Sequence, residues 1–170
     1  MKIRVYRKSD AKALVKLVQA LASYEKLKGP GPAEGRRLAA DAGKRFQVLL
    51  AEEGGEPVGY ALWFLTYSTF LARPTLWLED LFVLPSCRGS GAGTALFDAC
   101  VAKARALRCG RMEWTALDWN TPAQRFYEKK GAKHLHDWWI YRLSPPVVLG
   151  TAKLRATPPS RAATKAMAAI

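Results

Sequence analysis

The run from Leu78 to Gly93 constrains this chain more than any other segment. An apolar, strand-like stretch carries Glu79 and Asp80 in its middle, meets Pro85, and passes into a basic glycine-rich loop, Arg88-Gly89-Ser90-Gly91-Ala92-Gly93. A helical pattern follows directly, with Leu96, Cys100, Ala104 and Leu107 in near-helical register and Gly110 as its stop. Glycines let backbone N–H groups approach an anion, and the start of a helix adds partial positive charge. The loop is not a dinucleotide fingerprint, because an arginine leads it and the first strand lies elsewhere. Nor is it a P-loop, because no Gly-Lys-Ser/Thr follows. The segment predicts a phosphate-bearing cofactor on the loop and a cationic substrate near the carboxylates.

Around this junction the pattern alternates between strand and helix. Residues 2–7 read as a strand, and Ser9 as the N-cap of a helix with Leu14, Leu17, Val18 and Leu21 on one face. Gly29-Pro30-Gly31-Pro32 breaks that helix, and a short one is expected over 33–42. Phe46 to Ala51 reads as a strand, Glu53-Gly54-Gly55-Glu56 as a hairpin turn, and Val58 to Tyr67 as a strand buried on both faces. Further strands are expected over 76–84 and 111–116, and a final one from Trp138 to Leu143. Thr121-Pro122-Ala123-Gln124 combines an N-cap, a first-turn proline and a capping-box glutamine, so a helix should run from there to Gly131. The pattern predicts one α/β domain over 1–143. A basic Pro/Ala-rich tail over 144–170 should be poorly ordered and unnecessary for chemistry.

Composition narrows the classes. The net charge is +13, and +9 remains without the four basic residues of the tail. Such a balance favours polyanions, nucleotide cofactors among them, and opposes a cationic substrate unless a local acidic pocket overrides the global field. Three cysteines (Cys87, Cys100 and Cys109) form neither a CxxC pair nor a metal spacing, which suggests a reducing cytoplasm and no metal. The N-terminus is strand-like and charged, without the apolar core of a signal peptide. No apolar stretch approaches the ~18 residues that a membrane span needs.

Two acids inside an apolar strand are expensive without a purpose. Adjacent strand residues face opposite ways, so Glu79 and Asp80 need not share a pocket. Glu25, near the end of the first helix, reads by default as exposed. Phe126 and Tyr127 read as core aromatics of a short helix, although a tyrosine hydroxyl can also protonate a leaving group. His134 and His136 suggest a strand edge or loop.

Taken together, residues 1 to about 143 resemble the GCN5-related N-acetyltransferase (GNAT) superfamily. The resemblance rests on the Arg88–Gly93 loop, on Asn120 followed by Phe126-Tyr127 and Gly131-Ala132, and on the order of elements. Within it the chain is similar to the diamine acetyltransferase branch through Leu21-Ala22-Ser23-Tyr24-Glu25, Leu78-Glu79-Asp80 and Trp119-Asn120. Tyr67-Ser68-Thr69 and Leu117-Asp118-Trp119-Asn120 lean toward the thialysine type, and Ser68 stands where polyamine enzymes tend to carry an acid.

The resemblance implies a central mixed, mostly antiparallel sheet flanked by helices, and acetyl-CoA as co-substrate. Backbone groups of Leu81 and Val83 would pair with the pantetheine arm, and Arg88, Gly89, Gly91 and Gly93 would cradle the pyrophosphate. Asn120 would contact the cofactor near the thioester. Tyr127 would protonate the departing thiolate, Glu79 would help deprotonate the amine through water, and Asp80 and Glu25 would bind its cation. It implies a homodimer acting on a small-molecule amine, with no membrane or nucleic-acid partner. A protein acetyltransferase, and a non-catalytic module binding acetyl-CoA or nucleic acid, stay open as alternatives.

Overall fold

The structure, a computed structural model, describes residues 1–144 and Val148. Five strands form one sheet in the order of the chain: β1 (Lys2–Val5), β2 (Gln47–Glu53), β3 (Glu56–Ser68), β4 (Arg73–Val83) and β5 (Arg111–Glu113). The first three pairings are antiparallel and the last is parallel, so the sheet is mixed as expected. The parallel step needs a crossover, supplied by α3 (Ala92–Ala106). The other helices are α1 (Ala11–Tyr24), α2 (Pro32–Asp41) and α4 (Thr121–Lys129).

Alternation along β2 and β3 builds two cores. Val48, Leu50, Tyr60 and Leu62 turn to one face and pack with Leu14 and Leu17 of α1 and Phe82 of β4. The intervening Leu49, Ala51, Ala61 and Trp63 are buried on the other face, that of α3 with its buried Leu96, Phe97 and Cys100. Each large apolar side chain removed from water contributes about 2 kcal/mol, so the two cores dominate the stability.

Several boundaries differ from expectation. Ser9 is not the cap of α1. It lies in a 3-10 turn, and Asp10 stands at the N-cap position while accepting the Arg7 N–H at 2.7 Å. Strand β3 is buried on both faces only as far as Trp63, and Leu65, Thr66 and Tyr67 are exposed. The cause is the register: β2 reaches no further than the Gln47–Trp63 pair, so the outer part of β3 has β4 alone beside it. Strand β5 stops at Glu113 rather than at residue 116. Trp138–Leu143 forms no strand. A strand needs a neighbour for its backbone groups, and the described residues provide none; Trp138, Trp139, Ile140, Tyr141 and Leu143 are exposed.

The chain divides into two compact units, Met1–Asn120 and a second beginning at Thr121. In the second, α4 is followed by Gly131 at φ +82°, a left-handed conformation suited to glycine after a helix. The expected tail lies outside the described residues except for Ser144 and Val148. Among the described residues no helix is long and apolar enough to cross a membrane.

Candidate active site

Two features of β4 make the site. The first is an open edge. Strand β5 pairs only with Thr75–Trp77, so among the described residues nothing pairs with Leu78–Val83 on that side. Leu84 N–H donates to Val58 O at 2.9 Å on β3. Hydrogen bonding alternates along an antiparallel pair, so Phe82 also faces β3, while Leu81 and Val83 present their N–H and C=O to the open edge. These are the two residues expected to receive an extended ligand.

The second feature is a bulge. Leu62 pairs with Asp80 and Trp63 with Leu78, which leaves Glu79 as the extra residue. The bulge reverses the alternation. Leu76 and Leu78 share the α3 face with Trp63 and Leu65, whereas Asp80 and Phe82 share the α1 face with Leu62 and Tyr60. Glu79 turns toward the same face, where its Oε2 accepts the indole N–H of Trp77 at 2.8 Å. Regular alternation would have set the two acids on opposite faces; the extra residue sets Glu79 and Asp80 on the same one.

Asp80 accepts the hydroxyl of Tyr60 at 3.0 Å. Burial pushes its carboxyl up to about 6, the Tyr60 hydrogen bond works against that rise, and the charges of Glu79 and Glu25 add to it. Glu25, at the C-terminal end of α1, is half-buried rather than exposed, and burial raises its carboxyl too. The charges of two further acids thus act on Asp80, with no cation among them. The cluster is a local negative field within a basic protein.

The glycine loop follows β4. Gly89 and Gly91 stand at φ +81° and +87°, a region that side chains rarely adopt, and Gly91 caps α3. Gly93 lies inside the first turn of α3, where an added Cβ would meet Val83 at an ordinary 3.9 Å. Arg88 turns inward. Its guanidinium stacks 4.4 Å from the ring centre of Tyr24, and its Nε–H donates to Val83 O at 3.2 Å. Tyr24 in turn donates its hydroxyl to Asn120 Oδ1 at 3.2 Å and packs against Phe82 and Trp119. The last residue of α1 thus joins the loop arginine to Asn120.

Tyr127 lies in α4, half-buried, with its ring 5.4 Å from that of Phe126. Ser68 is buried and its Oγ accepts the Leu71 N–H at 3.3 Å, so it serves the β3–β4 hairpin. Sequence reasoning missed Tyr24, Tyr60 and Trp77 as partners of site residues. A signal existed for Tyr60, since a hydroxyl within an apolar strand requires a partner.

Residues 12–132 match the Acetyltransferase (GNAT) family. The chain belongs to that family. Thialysine N-epsilon-acetyltransferase of Mus musculus is 32% identical over 155 residues, covering 83% of this chain and 91% of that one. L-ornithine N5-acetyltransferase NATA1 of Arabidopsis thaliana is 36% identical over 96 residues, 56% of this chain and 42% of that one. Among solved structures, an integron cassette protein of V. cholerae matches with a TM-score of 0.73 at 24% identity, covering 89% of this chain and 98% of that one, a likeness of fold. This GNAT protein is an N-acetyltransferase on the diamine/thialysine acetyltransferase-like branch. Membership implies acetyl-CoA as the co-substrate.

Proposed function

We propose that this enzyme transfers the acetyl group of acetyl-CoA to the primary amine of a small cationic molecule, a thialysine-like amino acid first and a diamine second. The observation that carries the reading is the uncompensated cluster of Glu25, Glu79 and Asp80, set beside an open strand edge that leads to the glycine loop. The names of the relatives support the same substrate class.

Acetyl-CoA fits the elements present, and its thioester would supply the acetyl group. The outward N–H and C=O groups of Leu81 and Val83 suit a pantetheine arm, and Arg88, Gly89, Gly91 and Gly93 suit a pyrophosphate. To reach a phosphate, Arg88 must release Val83 O, the acceptor that the arm would use. One movement would thus open the edge and charge the loop. Asn120 would contact the cofactor near its reacting end. An alkylammonium with a pKa near 10.4 is a nucleophile in only about one molecule per thousand at neutral pH. Glu79, exposed and held by Trp77, would take that proton through water, while Asp80 and Glu25 hold the cation. Tyr127 would return a proton to the leaving thiolate.

A CoA-release assay tests the reading, with thialysine, lysine, ornithine, putrescine, spermidine, spermine and basic peptides as acceptors. Saturable turnover on thialysine or ornithine is expected. Acetyl-CoA binding with turnover on peptides alone would replace the small amine by a protein acceptor. Tyr127→Phe should lower turnover by about a hundredfold with little change in acetyl-CoA affinity, and an unchanged rate would remove its role as an acid. We further propose a homodimer, checked by sedimentation, and a cytoplasmic setting, which suits three free cysteines.

A further inference from the structure

We propose that Tyr60 is a positioning residue of the amine site: through its hydroxyl it holds the Asp80 carboxylate toward the substrate's cation. The inference rests on the amine-acetyltransferase reading and deepens it.

The argument begins in the core. Tyr60 has no exposed surface, and its neighbours in the α1-side cluster are Leu14, Leu17, Val48, Leu50, Leu62 and Phe82. A phenylalanine would fill that space without a polar atom to satisfy. A buried hydroxyl is retained at a cost unless it finds a partner. Its partner is Asp80 Oδ2 at 3.0 Å. Burial and the nearby carboxylates hold the phenol far above its ordinary range, so it remains protonated and acts as the donor.

The geometry leaves Asp80 little choice of direction. Without the bulge at Glu79, Asp80 would continue the alternation of Leu76 and Leu78 and lie on the α3 face. With it, Asp80 turns to the α1 face, and the Tyr60 hydroxyl occupies one of its two oxygens. The second oxygen is left for a ligand. The groups acting on Asp80 from the packed elements are Tyr60 on β3, Glu79 on its own strand and Glu25 at the end of α1. Both charges are negative, and both favour the neutral acid. Tyr60 alone favours the carboxylate. A neutral Asp80 would lose its attraction for an ammonium, so the Tyr60 hydroxyl extends the charged form of Asp80 to lower pH.

The test compares wild type, Tyr60→Phe and Asp80→Asn. The Asp80 carboxyl is followed by ¹³C NMR across pH, and binding of thialysine, ornithine, spermidine and acetyl-CoA is measured by calorimetry. In the wild type the Asp80 midpoint should fall near 6. Tyr60→Phe should move it up by about one pH unit and so weaken amine binding about fivefold at pH 6 and about twofold at pH 7, with acetyl-CoA affinity unchanged at both. Asp80→Asn keeps an acceptor for Tyr60, and should bind amines weakly with no pH dependence around 6. An unchanged midpoint with unchanged amine affinity in Tyr60→Phe overturns the proposal, as does a wild type that binds none of the three amines. A wild type that binds amines but no acetyl-CoA instead overturns the acetyltransfer reading, and the Asp80 midpoint still decides the role of Tyr60.

Discussion

Two carboxylate-rich corners of the same sheet behave in opposite ways. At the β1 end, Arg4 lies between Asp10, at 2.7 Å, and Glu52, at 2.6 Å, with the three side chains only 13%, 10% and 22% exposed. The hydrogen bonds from Arg4 hold the Asp10 carboxyl below its ordinary value. At the bulge of β4, Asp80 has a tyrosine hydroxyl for a partner and two further acids for company, and its carboxyl is pushed up to about 6. The first corner ties β1, the turn before α1 and β2 together. The second opposes folding when it ionises, and only a cationic ligand would complete it. A carboxylate with its cation built in reads as structure, and one without reads as a binding site.

Activity offers the largest way to break this comparison. Glu79→Gln should lower kcat about a hundredfold or more in the CoA-release assay, while Asp10→Asn leaves kcat nearly unchanged. Equal losses in the two variants would mean that the corners do not differ in role.

Stability should separate the corners next. Asp80→Asn should stabilise the fold at pH 7 by up to about 3 kcal/mol in urea unfolding, since a carboxyl raised from 3.8 to about 6 loses folding free energy on ionising. Destabilisation would show that the carboxylate has a hidden partner. Arg4→Met should destabilise by about 2 kcal/mol, because Asp10 and Glu52 are left half-buried without their cation.

The pH dependence sharpens the contrast, and its sign differs between the corners. The contribution of Asp10 is present above 3.8 and is lost as the pH falls through its lower folded value, so wild type should fade relative to Asp10→Asn only in strong acid. Asp80 works the other way. Its penalty is absent below 3.8 and grows as the pH rises through about 6, so the gain from Asp80→Asn should vanish in acid. Parallel pH profiles for the two variants would refute the distinction. The smallest effect belongs to the exposed Arg37–Glu34 pair, where Arg37→Ala should leave the unfolding midpoint unchanged.

Much of the candidate site's local structure was legible in residues that are close in sequence. The glycine loop, the helix after it and the proline before it follow one another within a few residues, and local backbone chemistry decides such junctions. Helix α3 begins at Ala92, inside the expected loop rather than directly after it, with Gly91 at its cap. The second constellation was legible in part: a helix does begin at Thr121 and Gly131 lies just beyond it. Ser9 misled because Asp10 can take both the cap position and the arginine, a choice that depends on Arg4 in another element. Trp138–Leu143 misled because β-propensity describes how a residue suits a paired strand and does not supply the partner.

By itself, the sequence determined the α/β alternation, the glycine-rich turn into α3 and the family, since each rests on local periodicity or on short motifs. Only the tertiary structure decided which way the two acids point. A bulge exists only relative to the strand beside it, and the register of β3 against β4 makes Glu79 the extra residue. The same register brings Tyr60, twenty residues earlier, to Asp80, and Glu25 at the end of α1 adds its charge to Asp80. The chemistry of that cluster is a sum of burial and charge over three elements, and no one of them carries it alone.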